Sequence, residues 1–385
     1  MDPVVVISGG GIIGNYISSR LNLNSIQSIV IEKGSKDIDY KNNIRTITLN
    51  SFSKELLENL KIEIKCAEIK KMKVFDGEGS GKINFSSSQI KEENLSYVVF
   101  FNDLQKKLQE IENERTVFDS YIKDIKEVNS DKFCEVLLSN DEILNAVVVA
   151  GCDGRNSNVA KISKLKKKKQ DYNQTAITFT ATSELEDSST AVQIFSDKGI
   201  FAIMPCPLQE NGSSHSIVWS VNNEILEKYE INQFIKDNLT YFEKKIGARI
   251  NIQSEILSFK LSSHYFKNYV SDRKVLIGDA AHSIHPLAGQ GINLGFADAD
   301  AFCEEIIAEY SRSVNINYKK MLKRYEVRRK IFNELMFNSM QMFVDIFTSD
   351  NLYMKLLRSI GLRGVNKNIY LKRFFINHAS GRNKI

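Results

Sequence analysis

A β-branched run, Val4-Val5-Val6-Ile7, stops at the glycines Gly9, Gly10, Gly11 and Gly14. No other feature restricts the fold of this chain as tightly. A buried strand that runs into Gly-x-Gly-x-x-Gly must turn sharply and start a helix, here through Ile12 and Ile13 to about residue 23. Gly9 permits the turn, Gly11 lets a pyrophosphate approach the backbone, and Gly14 lets helix and strand pack closely. The helix N-terminus offers amide donors to the anion. A second apolar run, Ile29-Val30-Ile31, ends at Glu32 and Lys33, and Glu32 lies 18 residues beyond Gly14. A carboxylate at that strand end accepts ribose hydroxyls. The pattern predicts a βαβ unit that binds a dinucleotide, and leaves FAD and NAD as alternatives.

Two further short apolar runs, Ala146–Ala150 and Lys274–Ile277, lead into glycine as buried parallel strands do. Between about 170 and 265 the texture changes to alternating segments such as Thr175–Thr180 and Ser216–Ser220, which predict an antiparallel sheet. Residues 295–347 carry a helical pattern, and Lys164–Lys169 reads as an exposed loop. With 385 residues, 42% of them hydrophobic, the chain can bury a large core. Cys66, Cys134, Cys152, Cys206 and Cys303 form no CxxC pair, so reduced thiols are expected. Met1-Asp2-Pro3 lacks a basic leader region, and no window has the roughly 18 apolar residues of a spanning helix. A cytoplasmic protein is expected, resting at most on the inner face of a membrane.

The segment Val275 to Asn293 separates the two cofactors. A strand ends at Gly278, and Asp279 follows where a carboxylate meets a ribityl hydroxyl. Pro286, Leu287, Ala288, Gly289, Gln290 and Gly291 then form a small-residue turn opening a helix through Ile292 and Asn293. Amides there face an electron-rich group such as the flavin edge that becomes anionic on reduction. The reading is FAD. His282 and His285 are spaced i, i+3, but no further ligand completes a metal set, and none is expected. His282, Pro286 and Gln290 are the catalytic candidates.

With Cys152-Asp153-Gly154-Arg155-Asn156-Ser157 between the glycine fingerprint and Gly278-Asp279, the sequence resembles the flavoprotein aromatic hydroxylases related to para-hydroxybenzoate hydroxylase. Within them it resembles the branch that hydroxylates polyprenyl phenols for ubiquinone. Shorter matches extend the resemblance over nearly the whole chain: Asn43–Leu49 with Arg45, Tyr172, Phe201–Pro205, Val218-Trp219, Tyr325-Glu326-x-Arg328-Arg329 and Arg358-x-x-Gly361-Leu362. The resemblance implies an α/β fold: a Rossmann-like FAD-binding domain of the glutathione-reductase type, an inserted antiparallel β-sheet substrate domain and a C-terminal helical region. The implied FAD domain is discontinuous (1–75, 97–165 and 266–310). The substrate domain takes 76–96 and 166–265, and a basic helical region takes 311–385.

The resemblance also implies FAD reduced by transient NAD(P)H, and a C4a-hydroperoxide that hydroxylates a hydrophobic phenol with O2. Arg45, Gln105, Asp153 and Gly154 join the expected cofactor contacts. The sequence departs from the family at Ala160, where an arginine is usual, and at Phe100-Phe101-Asn102, where Glu-Asn-Arg is common. Those departures keep a non-catalytic scaffold subunit as an alternative. A flavin-dependent prenyl reductase is another, whereas the single Trp219 removes the halogenase signature.

The net charge of +5 hides an asymmetry. Residues 311–385 hold 16 Lys and Arg against Glu326, Glu334, Asp345 and Asp350, leaving the rest of the chain acidic. The basic tail reads as a face toward an anionic membrane surface or as a well-solvated helical face. The resemblance adds other quinone-biosynthesis enzymes as expected partners, and without a binding motif nucleic acid is not expected. Phe332, Leu335, Met336, Met340, Phe343 and Phe347 form a helical apolar pattern, read as core packing or as a surface for a prenyl chain.

Overall fold

The computed structural model describes residues 4–37, 44–112, 115–128, 132–285, 289–312, 316–348 and 361–381. Asn43, Pro286, Leu287, Ala288 and Arg358, and the side chains of Phe343 and Phe347, lie outside the described residues.

The opening strand Val4–Ser8 sits between Ile143–Gly151 and Ser28–Ile31, parallel to both. Lys274–Leu276 extends this parallel sheet beyond Ile143–Gly151, and Thr116–Val117 extends it beyond Ser28–Ile31. An antiparallel meander of Ile122–Glu127 and Cys134–Leu138 returns into Ile143–Gly151. The central strands are apolar on both faces because both are covered: Val5, Val6, Ile7, Val148, Val149 and Ala150 are fully buried, and the meander residues Ile125, Val136 and Leu138 share their core. The helices Ile12–Leu23 and Gln290–Arg312 cross each other, with the rings of Tyr16 and Phe296 edge-on at 5.4 Å.

A nine-stranded sheet carries the alternating segments. Its order is His282–Ser283, Leu257–Phe266, Lys167–Ser183, His215–Asn222, Gly199–Pro205, Thr190–Ser196, Lys71–Asp76 and Lys82–Ser86, with Ile250–Ile252 beside Lys167–Ser183. Its own core gathers Trp219, Phe201, Phe234 and Phe242 under the helix Ile231–Ile246, with Phe201 and Phe242 stacked at 4.3 Å. His282–Ser283 pairs here although the strand before it, Lys274–Leu276, belongs to the parallel sheet.

The expected loop at Lys164–Lys169 is corrected: Lys167, Lys168 and Lys169 start the long strand Lys167–Ser183, paired with Phe266, Tyr265 and His264. Backbone pairing tolerates a lysine run, because the stems lie along aromatic rings and the ammonium groups leave the sheet. The Lys167 Nζ stands 5.6 Å from the Phe266 ring centre and donates to the Arg155 carbonyl at 2.7 Å.

A third small sheet of Thr46–Leu49, Ser96–Phe100 and Ala67–Ile69 joins the two halves. The helix Tyr318–Thr348 bridges them as well. Its Tyr325 hydroxyl donates to the Leu276 carbonyl at 3.0 Å, while Met340 packs against the cluster of Val74, Phe195 and Ile200. Met336 and Phe337 are buried, and Phe332 packs beside them. Leu335 instead faces solvent with Val327, Ile331 and Met342. Among the described residues no helix is long and apolar enough to cross a membrane.

Candidate functional site

The fingerprint turn is built by close approach. Gly9 has φ +101°, and a Cβ on Gly14 would lie 1.9 Å from the Gly9 carbonyl oxygen, so only glycine fits there. At Gly11 nothing lies within 4 Å of such an atom. The amides of Gly10 and Gly34 donate to the two Glu32 oxygens at 2.5 and 2.6 Å. The carboxylate is thus fixed at the strand end with acceptor sites to spare. Gln105 Nε2 and Asn15 Nδ2 both donate to the Gly10 carbonyl, at 3.0 and 2.9 Å. Ile12 is buried, and Ile13 fills the space beside Gly278 and Gly295. Lys33 is exposed and does not join this cluster.

The middle motif rests on that turn: a Cβ at Gly9 would lie 2.6 Å from the Cys152 carbonyl oxygen. Asp153 Oδ2 accepts from the Ser8 hydroxyl at 3.2 Å and the Asn158 amide at 2.8 Å, whereas its Oδ1 is buried without a partner. Gly154 has φ +73° and open space beside it. Ala160 is 5% exposed, its amide capped by Ser157 Oγ at 3.0 Å. It packs in the core of the parallel sheet, which explains a small apolar residue there.

Gly278, at φ +59°, passes 3.5 Å from the Gly295 Cα when a Cβ is placed on it. Asp279 is exposed, within electrostatic reach of Arg45, whose guanidinium lies 4.3 Å from the Phe101 ring centre. Asn293 is the hub of the next segment. Its Nδ2 donates to the carbonyls of Thr48 at 2.9 Å and Gly289 at 3.1 Å, and its Oδ1 accepts from the Asn50 amide at 2.9 Å. Gly289 has φ +63° and abuts Thr48, Gly291 has open space, Gln290 is nearly buried, and Ile292 packs on the core. The structure therefore gathers the fingerprint, Glu32, Gln105, Asp153, Gly278 and Ile13 around one surface. Arg45 is beside Asp279, and Asn293 ties the helix N-terminus to the small sheet. Pro286 lies outside the described residues.

His282 is buried, and its Nε2 meets Asp298 Oδ2 at 2.5 Å. Asp298 Oδ1 also accepts from Arg329 Nε at 2.7 Å and Asn333 Nδ2 at 2.9 Å, and Oδ2 from the Gly278 amide at 3.2 Å. Burial raises the Asp298 carboxyl, but His282 and Arg329 outweigh it and hold the group well below the usual carboxylate range. The arrangement makes His282 a positioning residue under the Gly278 turn. His285 Nε2 pairs with Gln174 Oε1 at 3.0 Å, its ring edge-on to Tyr172 at 4.8 Å, and its Nδ1 is buried without a partner. Burial pushes His285 down to about 4. Burial, then the nearby positive charge of Lys167, pushes His264 down to about 3.

Sequence reasoning missed Asp298, Asn333, Thr48 and Asn50. Arg329 in Tyr325-Glu326-x-Arg328-Arg329 was the available signal, since each member of that motif reaches back. Tyr325 bonds Leu276, Glu326 accepts the Tyr269 amide at 2.9 Å, Arg328 pairs with Glu304 and Arg329 with Asp298.

The residues fit an extended dinucleotide: two cradles free of side chains at Gly11 and Gly291, an orphaned acceptor at Asp153, and an exposed carboxylate at Asp279. The profile of a family described as "FAD binding domain" matches residues 2–339. The 3-demethoxyubiquinol 3-hydroxylase of Escherichia coli is 26% identical over 98% of both chains. Ubiquinone hydroxylase UbiL of Rhodospirillum rubrum is 31% identical over 64% of this chain, a match spanning 57% of that protein. Among solved structures, p-nitrophenol 4-monooxygenase PnpA from Pseudomonas putida superposes with a TM-score of 0.77 at 16% identity, covering 100% of both chains.

Proposed function

The chain belongs to the FAD binding domain family, and from that premise we propose that it is a monooxygenase hydroxylating the aromatic ring of a polyprenyl phenol in ubiquinone biosynthesis. The observation that carries the reading is the end-to-end similarity to the demethoxyubiquinol hydroxylase. The chemistry FAD supplies when bound is transfer of reducing equivalents from NAD(P)H to O2 and insertion of one oxygen atom into an electron-rich ring.

The chain's own residues bind, orient and exclude water. The amides at Gly11 and the helix after it would hold the pyrophosphate, Glu32 the ribose, and Asp279 a ribityl hydroxyl. The N-terminus of Gln290–Arg312 would serve the flavin edge that gains negative charge. The neutral His285 and the Tyr172 edge suit a phenol hydroxyl, with Gln174 fixing the imidazole. The experiment is NAD(P)H oxidation by FAD-loaded protein with a detergent-solubilised polyprenyl phenol. The expected product is heavier by one oxygen atom. Phenol-independent peroxide release with every phenol tried, or flavin that never reduces, would sink the proposal.

The exposed stripe Val327, Ile331, Leu335 and Met342 gives a lipid-borne substrate a place to dock. Basic residues of the same helix support contact with an anionic membrane. Ile331→Asp with Leu335→Asp should weaken cosedimentation with anionic vesicles by about tenfold while turnover of a short-tailed phenol stays near wild type. Unchanged cosedimentation would reject the membrane role.

A further inference from the structure

The nine-stranded sheet ends at Lys82–Ser86, and the last described helix, Ile369–Ala379, lies near that end. Between them is a cavity of about 360 Å³, lined by Lys71, Lys73, Asn84, Gln89, Asn366 and Lys372 among others, with no acidic residue in the lining. The Asn84 amide donates to Asn366 Oδ1 at 3.1 Å, and Arg373 Nε donates to the Gln89 carbonyl at 2.8 Å, so the chain's tail closes one wall. Lys71 is already paired, 2.9 Å from Asp187.

Lys372 is different. It is 7% exposed and has no ion pair among the described residues. Burial pushes its ammonium below the ordinary lysine value. Lysine is almost never buried without a counter-charge, because desolvating the ammonium costs more than its stem returns. Lys73 is exposed on the adjacent strand and likewise has no ion pair among the described residues. The two charges and the side-chain amides line one pocket, open at one side, with the chemistry of an anion receptor.

We propose that this cavity binds a phosphate group, with Lys73 and Lys372 as its charge partners and Asn84 and Gln89 as hydrogen-bonding neighbours. None of these residues is among the expected flavin contacts, so the site is separate from the redox centre. Lysine suits phosphate as a point charge, without the fork geometry that arginine imposes. The same chemistry is presented by the headgroup of an anionic glycerophospholipid and by a free phosphate ester.

The test uses the full-length FAD-loaded protein. Thermal unfolding is followed with inorganic phosphate or glycerol 3-phosphate against chloride of equal ionic strength. Cosedimentation with phosphatidylglycerol vesicles is compared with phosphatidylcholine. Lys372→Met should leave the anion-free protein at least as stable, since it removes a partly desolvated ammonium with no ion pair among the described residues, yet lose the phosphate response. Lys73→Gln, on an exposed side chain, should weaken the response by about tenfold, and Lys70→Gln, outside the cavity, should not. Stabilisation by the soluble esters assigns a free phosphate, whereas a Lys372-dependent preference for phosphatidylglycerol vesicles alone assigns a headgroup. No response to either, or equal loss with Lys70→Gln, overturns the site. FAD content and turnover should not change in any variant, so this failure is distinguishable from failure of the hydroxylase reading.

Discussion

Individual glycines in this protein have different duties, and substitution separates them. A methyl at position 14 meets the Gly9 carbonyl, so Gly14→Ala should lower stability by about 2–4 kcal/mol and lose FAD, seen as a lower melting temperature without added flavin. Gly11→Ala places its methyl in open space, at an extended φ of −76°. It should melt as wild type without flavin and bind FAD at least tenfold more weakly, about 1.4 kcal/mol. Equal melting of the two apo variants would refute the distinction. Buried neutral histidines set a pH dependence of the same scale. His285 and His264, held near 4 and 3, are protonated in the unfolded chain below about 6.5. The unfolded state then binds more protons, so their contribution is intact above about 6.5 and is lost as pH falls toward the folded values. At pH 5 each should cost up to about 2 kcal/mol, and His285→Gln should flatten the fall in melting temperature between pH 7 and 5.

At the scale of elements, the helix Tyr318–Thr348 holds the Gly278 turn from a distance. Through Arg329, Asn333 and Asp298 it holds both His282 and the Gly278 amide. Asp298→Ala leaves a guanidinium and an imidazole buried without their carboxylate, and should cost about 3–5 kcal/mol. Asp298→Asn, of equal size, should fold better yet release FAD faster in a dilution assay. Retention of FAD at the wild-type rate by both would show the network to be irrelevant to the turn. The two ends of the site differed in how legible they were in the sequence. The glycine positions and the strand-end Glu32 could be read because backbone geometry there admits few residue types. Asp298 was hidden because its partners stand 16 and 31 positions away on other elements, a distance that no periodicity records. The lysine run was misread because charge predicts solvent exposure of a head group, not the absence of strand pairing.

For the molecule as a whole, the alternation between short apolar runs and a long antiparallel stretch was sufficient to expect two sheets. The small sheet of Thr46–Leu49, Ser96–Phe100 and Ala67–Ile69 that joins them was not foreseen, since strands this short carry too little pattern. The parallel sheet takes its first strand at Val4 and its last parallel one at Leu276. That separation sets a schedule during synthesis. At roughly 5–20 residues per second, some tens of seconds pass between emergence of the fingerprint and arrival of the strand that completes the sheet. Until then Val5, Val6 and Ile7 lack part of their cover, so the nascent chain is at its most aggregation-prone while the nine-stranded sheet is still being made. A slow stretch of translation before residue 270 would prolong that exposure, and one after the helix Tyr318–Thr348 has emerged would not.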